Sequence, residues 1–128
     1  TNTVTTTGIN NVYERIVTCS ASEEAVTFLA SFNTNSYGSA VQIDKEDVRY
    51  IRITNLDATN SLELAVVGAA TLYQVSLKAG QSHILCAAED VMLAEADTSP
   101  SFGTMGDLTS LQVKPAETLD VEIFVASV

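Results

Sequence analysis

The fold is decided by the stretch VRYIRITNLDATNSLELAVVGAATLYQVSLKAGQSHILC, residues Val48 to Cys86. Three segments in it alternate apolar and polar side chains with a period of two, which is typical of strands that turn one face to a core: residues 48–55, 62–66 and 72–77. Short polar or glycine-containing segments follow the first and the third. The stretch predicts two consecutive hairpins, which turn near Asp57 to Asn60 and at Lys78 to Gln81.

The alternation also predicts which side chains share a face. In the first strand, one face holds Arg49, Ile51, Ile53 and Asn55, and the other holds Val48, Tyr50, Arg52 and Thr54. Two-stranded ribbons bury too little surface to be stable alone in water, so both hairpins need a second sheet. The chain is therefore expected to be all-β, a single-domain antiparallel β-sandwich or jelly roll.

The chain length of 128 residues fits one domain. Residues 1–10 are polar and rich in threonine, which indicates an N-terminal arm ahead of a β-sandwich domain at 11–128. The opening sequence has neither a basic segment nor an apolar one of the kind that directs secretion, so synthesis in the cytoplasm is expected.

Further strands are predicted on either side of the central stretch, at 12–19, 20–32, 40–43, 91–96, 108–113 and 119–126. For 12–19 a helix remains an alternative, because Val12, Ile16 and Cys19 also have helical spacing. The segment 20–32 also fits a helix, with Ser20 and Glu23 as a capping box, but its β-branched and aromatic residues favour a strand. A turn is predicted at Lys114-Pro115. The segment Asp97 to Gly106 is expected to be a long loop, and such loops are often functional or mobile. In the last strand the Leu119 face should be core.

The net charge of −10 comes from 16 acidic and 6 basic residues, and the basic ones are scattered. Nucleic-acid binding needs a clustered basic surface, so it is not expected. Anionic membranes are disfavoured by the same sign of charge. The longest apolar run, Leu64 to Ala70, is too short to span a bilayer.

Few residues in the chain have the chemistry of a catalytic or metal site. His83 is the single histidine, and there is no Gly-x-Ser-x-Gly motif. The carboxylate pairs Asp44 with Asp47 and Glu89 with Asp90 are read as charged connectors between strands rather than as acid–base or calcium groups. The sequence therefore predicts a protein that is not an enzyme and that has no cofactor or metal.

Cys19 and Cys86 both lie in apolar, strand-like segments. They are expected to be buried thiols that pack as small apolar side chains, and a disulfide between them remains an alternative. Two cysteines and one histidine provide too few ligands for a structural zinc site.

Three segments resemble small structural proteins of the virions of tailed phages that infect marine and freshwater bacteria, the cyanophages among them. They are DKEDVRYIRITNLDATNSLELAV at 44–66, LKAGQSHIL at 77–85 and DLTSLQVKPAETLDVEIFVAS at 107–127. The resemblance extends over about residues 22–128 and rests on strand and turn patterns. It implies an all-β decoration or cement protein on the capsid surface, bound to the major capsid protein and assembled on the particle as a homo-oligomer, a trimer or a dimer.

The arm is the candidate contact with the capsid, because an extended polar segment can add a strand to an exposed sheet edge. The residues concerned are Thr1, Asn2, Thr3, Val4, Thr5, Thr6, Thr7 and Gly8. Two alternatives remain open at this point. One is a tail or fibre-base component of the virion. The other is a carbohydrate-binding β-sandwich, which requires exposed aromatic side chains.

Overall fold

The computed structural model describes residues 3, 5, 7–21, 26–33 and 42–128. Within them lie nine strands and a short 3-10 helix, Lys45–Asp47. The strands are β1 Asn11–Cys19, β2 Thr27–Asn33, β3 Gln42–Asp44, β4 Val48–Asn55, β5 Leu62–Gly68, β6 Leu72–Leu77, β7 Ser82–Leu85, β8 Leu108–Pro115 and β9 Leu119–Ser127.

The strands form two sheets that pack face to face around one apolar core. Sheet A has the order β1-β9-β4-β7, and sheet B has the order β3-β2-β8-β5-β6. Neighbouring strands run antiparallel except β2 and β3. The chain crosses repeatedly between the sheets in the order of a jelly roll, with β3 added beside β2. The predicted antiparallel sandwich or jelly roll is confirmed.

The core is built from alternate residues of the strands. β5 buries Leu62, Leu64 and Val66, and β9 buries Leu119, Val121, Ile123 and Val125. Both sets are the ones that the period-two pattern predicts. Burying each of these side chains contributes roughly 1.5–3 kcal/mol, so the two facing rows provide much of the stability of the fold.

β4 departs from strict alternation at its start. Its register with β9 shifts between Val48 and Tyr50, which leaves Arg49 as the extra residue of a β-bulge. Val48 and Ile51 are therefore both buried, whereas Arg49 is exposed. The prediction that Arg49 shares a face with Ile51 is wrong, because a periodic pattern does not reveal an inserted residue.

The two predicted hairpins are also wrong. β4 belongs to sheet A and β5 to sheet B, and β6 and β7 are divided in the same way. The hairpin of this region is β5–β6, closed by a hydrogen bond from the N–H of Gly68 to the carbonyl of Thr71 at 2.7 Å. Strands that each direct one apolar row at a core can lie side by side or face each other across it. The alternation is the same in both cases.

The remaining segments follow the predictions in part. The strand predicted at 12–19 is confirmed, and of the one predicted at 20–32 the part from Thr27 onward is confirmed as β2. Ser20 and Ala21 lie outside the strand, and Glu23 of the alternative helix cap lies outside the described residues. The predicted strand at 91–96 is wrong, because only an isolated bridge joins Met92 to Gly106. The predicted turn at Lys114-Pro115 is wrong as well, since both residues belong to β8. The chain turns at 116–118.

The connections between strands gather at two opposite ends of the sandwich. At one end, which we call the closed end, the chain passes between the sheets through the short segments 56–61, 78–81 and 116–118. At the other, the loop end, lie the start of β1, the β5–β6 turn at 69–71 and the long connection 86–107. The closed end positions the strands, and the loop end carries most of the irregular chain within the described residues.

Asn55 fastens the closed end. Its side chain is fully buried and donates to the carbonyls of Asn60 at 2.8 Å and Leu77 at 3.1 Å. Its side-chain oxygen accepts from the N–H of Asp57 at 3.0 Å. One amide therefore ties β4, the β4–β5 connection and the end of β6 together, and it satisfies backbone groups that would otherwise be buried without partners.

Candidate interaction surfaces

His83 lies on the inner face of β7, at the edge of the sandwich. Its Nε2 is 2.9 Å from the hydroxyl of Tyr73 on β6, and the two rings meet edge to face. Burial lowers the pKa of His83 and raises the pKa of Tyr73, since both charged forms are disfavoured away from water. The pair links the edge strands of the two sheets, so its visible role is structural.

Of the four carboxylates predicted as connectors, Asp44 has a local contact in the structure, and Asp107, a further acidic residue, pairs with Lys45. Asp44 accepts a hydrogen bond from the N–H of Glu46 at 3.2 Å and caps the 3-10 helix. Asp107 binds the ammonium group of Lys45 and accepts from the N–H of Asp90 at 3.1 Å. The hydrogen bond from Lys45 lowers the pKa of Asp107 and raises that of Lys45. Among the described residues, no three His, Cys, Asp or Glu side chains converge as metal ligands would.

The two cysteines are free thiols in different surroundings. Cys19 is fully buried, and burial raises the pKa of its thiol. Cys86 is exposed, so the expectation of two buried thiols is wrong for this residue. Cys19 ends β1 at the closed end, while Cys86 follows β7 at the loop end and at the opposite edge of sheet A. The two sulfurs therefore have no route to a disulfide within one folded chain.

The outer face of sheet A has an aromatic centre. The guanidinium carbon of Arg52 lies 5.2 Å from the ring centroid of Phe124, and its Nη2 is 2.8 Å from Glu122 Oε1. The ring of Tyr50 meets that of Phe124 edge to face, with centroids 6.0 Å apart. The charge of Arg52 is thus paired with that of Glu122, while Ile16 at the edge of this face is 62% exposed.

The connection between β7 and β8 is firmly held at its base. Ala88 and Met92 are buried in the core. The N–H of Leu108 donates to the carbonyl of Ala88 at 2.8 Å, and the N–H of Gly106 donates to the carbonyl of Met92 at 2.6 Å. The base is thus part of the sandwich, whereas every residue from 93 to 106 is exposed.

The tip of this connection presents an aromatic side chain to solvent. Phe102 is 80% exposed and has a φ of 52°, in the left-handed region that bulky residues rarely adopt. Glu95 accepts hydrogen bonds from the N–H and hydroxyl of Ser101, and these bonds lower the pKa of its carboxyl group. Leu93 and Met105 are exposed, and they line a shallow cavity together with Phe102. We call the group Leu93, Phe102 and Met105 the apolar tip.

Carboxylates are the only charged groups in the connection that carries the apolar tip. The segment 86–106 contains Glu89, Asp90, Glu95 and Asp97 and no basic residue. Glu95 lies at the tip, where it binds Ser101, whereas Asp90 lies at the base beside Asp107. An apolar tip on an acidic connection matches a partner with an apolar pocket and basic residues near it.

The predicted contact arm leads into the same end of the molecule. Thr3, Thr5, Thr7 and Gly8 are exposed, whereas Thr1, Asn2, Val4 and Thr6 lie outside the described residues. The N–H of Asn10 donates to the carbonyl of Ser127 at 2.9 Å, which joins the end of the arm to β9. The arm therefore enters the domain at the loop end, where the apolar tip also lies.

The sequence predicted the long loop, but the exposure of Phe102 within it was not predicted. The pattern that would have revealed it is an isolated phenylalanine in TSPSFGTMG, a run of small, polar and turn-forming residues at 98–106. No apolar periodicity there provides a buried face for the ring, so exposure is the expected outcome.

None of the helices that the structure describes is long and apolar enough to cross a membrane. Comparisons of the chain with protein-family models, with curated proteins and with solved structures found no match. The resemblance to virion proteins thus stays a prediction, and a function has to be argued from the surfaces of this chain.

Proposed function

We propose that this protein is a structural component of a tailed-phage virion, a decoration protein that binds the outside of the capsid lattice and stabilises it. The fold supports the role without deciding it, because jelly rolls occur in viral capsid proteins and also in lectins and cupins. The observation that carries the proposal is Phe102, held outward at the loop end on a loop whose base is fixed in the core.

A side chain in this position has the properties of an interface anchor. Aromatic residues dominate the binding energy of many protein interfaces when they enter a pocket on the partner. A backbone held in a sparsely populated conformation is also a frequent feature of binding sites. Because the loop is fastened at Met92 and Gly106, little conformational freedom of its base remains to be lost on binding.

The charge pattern specifies the partner further. The connection that carries the apolar tip has four carboxylates and no basic residue, so the capsid subunit should offer an apolar pocket with lysine or arginine at its rim. The net charge of −10 keeps free copies apart in the cytoplasm before they bind. On a repeating lattice, contacts that are weak singly add up when copies associate with one another.

Electron cryo-microscopy of the virion tests this function directly. Density for the jelly roll on the icosahedral shell, with the loop end facing a capsid subunit, is the expected result. Density restricted to the tail or its fibre base, or a particle without the domain, would overturn it.

A binding assay tests the role of Phe102 separately. Purified protein is added to heads that lack it and is then sedimented with them. Phe102→Ser should lower the affinity about 30-fold or more, the effect of losing an aromatic hot spot worth ~2 kcal/mol. The control is Ile84→Ser, which removes an apolar side chain that is 51% exposed on the outer face of sheet A. It should bind as the unmodified protein does.

A further inference from the structure

Each sheet has two free edges, and three of the four are protected against pairing with another chain. Among the described residues, β3 has three and β7 has four. β1 is longer, but it exposes Glu14 and Arg15 at its centre. Short strands and charged residues are the usual devices that keep sheet edges from associating. β6, with the sequence LYQVSL, has six residues and contains no charge and no proline.

The register of the β5–β6 hairpin shows which backbone groups of β6 are unused. Gly68 and Thr71 form a hydrogen-bonded pair at the turn, and such pairs alternate along an antiparallel ladder. The residues that bond to β5 are then Tyr73, Val75 and Leu77. The residues whose N–H and C=O point away from β5 are Leu72, Gln74 and Ser76.

These three outward residues are accessible. Their side chains are all exposed on the outer face of sheet B. In the part of the chain that the structure describes, their outward N–H and C=O groups have no hydrogen-bond partner. A complete and regular row of donors and acceptors is therefore open to a strand of matching spacing.

We propose that two copies of this chain pair through β6, antiparallel and about a twofold axis at Gln74. A twofold axis perpendicular to the sheet places the outer faces of both copies on the same side of the joined sheet. The outer-face residues of β6 are even-numbered, so each must lie opposite an even-numbered residue of the second copy. With Gln74 on the axis, Gln74 lies opposite Gln74 of the second copy and Leu72 opposite Ser76. All outward N–H and C=O groups of the three residues then have partners.

The charge distribution favours a second copy as the occupant. The whole chain has a net charge of −10, yet the segment Leu64 to Ala88, which contains β6 and β7, carries the single charge of Lys78. Two acidic molecules repel least where both are nearly uncharged. The alternative edge, β1, sets Arg15 against Arg15 of the second copy when the whole strand is paired, and like charges directly opposite are unfavourable.

Only one short strand of each copy takes part in the interface, so a weak dimer is expected. The proposed pairing does not depend on the proposed virion function. Sedimentation of the full chain between ~10 µM and ~1 mM should show a monomer–dimer equilibrium, in the range of small interfaces. Gln74→Pro removes an N–H that is unbonded in the monomer, and proline is tolerated at such edge positions. It should weaken the dimer ~10-fold or more because two hydrogen bonds are lost.

A second variant and a control make the result independent of folding. Gln74→Lys keeps the backbone and places two ammonium groups opposite each other, so it should weaken the dimer as well. Ile16→Lys puts the same charge on the outer face of β1 and should leave the dimer unchanged. A chain that is monomeric throughout, or a dimer equally strong in both Gln74 variants, overturns the proposal. Loss of the dimer in Ile16→Lys alone assigns it to β1 instead.

Disulfide cross-linking tests the register. In a Cys86→Ser background, Gln74→Cys should form a cross-linked dimer under oxidation, since residues opposite in a hydrogen-bonded pair have Cα atoms about 5.5 Å apart. Ser76→Cys should not, because the two positions would be roughly 13 Å apart. Cross-linking through residue 76 in place of residue 74 would overturn the Gln74-centred pairing.

Discussion

The closed end and the loop end of the sandwich use polar and apolar side chains in opposite ways. At the closed end a polar residue, Asn55, is fully buried and bonded to three backbone groups, two in the β4–β5 connection and one in β6. At the loop end an apolar residue, Phe102, is 80% exposed on a backbone of unfavourable conformation. A buried amide and an exposed aromatic ring are both uncommon in folded proteins, and they have different consequences here.

A buried amide that is completely satisfied favours one arrangement of the connections, because an arrangement that breaks its bonds leaves buried polar groups without partners. An exposed aromatic ring in a strained loop contributes nothing comparable to the stability of the free chain. We infer that the closed end determines the fold and that the loop end is available for binding. Substitutions at the two ends should therefore affect different measurements.

The largest effect is expected at Asn55. Asn55→Ala should lower the free energy of unfolding by about 3 kcal/mol, because the carbonyls of Asn60 and Leu77 lose their donor while buried. Urea denaturation at 25 °C measures the change. Ser82→Ala is the control. It removes an exposed hydroxyl 2.7 Å from that of Thr54 and should cost less than about 0.5 kcal/mol. A loss below about 1 kcal/mol for Asn55→Ala would contradict this account of the closed end.

A somewhat smaller effect is expected where the base of the long connection meets the β5–β6 turn. A Cβ at Gly68 would lie 2.5 Å from Met92 Sδ and 3.2 Å from the carbonyl oxygen of Asp107. Gly68→Ala should therefore cost about 2 kcal/mol through overpacking. Gly103 is the matched control, since its added Cβ would have no neighbour closer than 3.5 Å. If the two variants unfold alike, the base of the connection is less tightly packed than the distances indicate.

The contrast between the ends also explains how much of the structure the sequence predicts. Strands β4, β5 and β9 follow from period two because half of each strand is buried in a regular sheet. The pattern places Asn55 on the same face as Ile51 and Ile53, which is where it lies. It does not show that β4 and β5 belong to different sheets, since strand pairing depends on contacts between residues distant in the chain.

The loop end is harder to predict for a physical reason. Local composition identifies the segment 97–106 as a loop, but its conformation depends on single contacts, such as those between Glu95 and Ser101. Neither the left-handed backbone of Phe102 nor its position beside Met105 has a periodic signal. The free edge of β6 is not predicted either. It depends on the pairing of β6 with β5 through the turn at 69–71, whereas the sequence predicted turns near 57–60 and at 78–81.

A smaller effect is expected from the backbone strain at Phe102 in the apolar tip. Phe102→Gly should have a free energy of unfolding about 1 kcal/mol higher than Phe102→Ala, because only glycine adopts a φ of 52° without steric cost. Met105 provides the control, since it has no positive φ. There the sign should reverse, with Met105→Ala more stable than Met105→Gly by a few tenths of a kcal/mol. Equal stability of the two Phe102 variants would show that the loop relaxes and stores no strain.

The smallest effect is expected where the edge strands β6 and β7 of the two sheets meet through Tyr73 and His83. Burial lowers the pKa of His83 below 6.5, so the unfolded chain takes up the proton more readily than the folded one. Stability should be full above about pH 6.5 and should decline as the pH falls from that value towards the lower pKa of the folded state. Thermal unfolding between about pH 7 and pH 5 measures the decline before most carboxylates titrate.

Two variants identify the cause of this pH dependence. His83→Gln should flatten the profile, because the titrating group is removed. Tyr73→Phe should keep the slope, since the shift in the pKa of His83 arises from burial rather than from the hydroxyl. If Tyr73→Phe flattens the profile too, the hydrogen bond of 2.9 Å holds His83 neutral. In that case protonation of His83 removes the acceptor of this bond, which joins β7 to β6, the strand proposed to pair between copies.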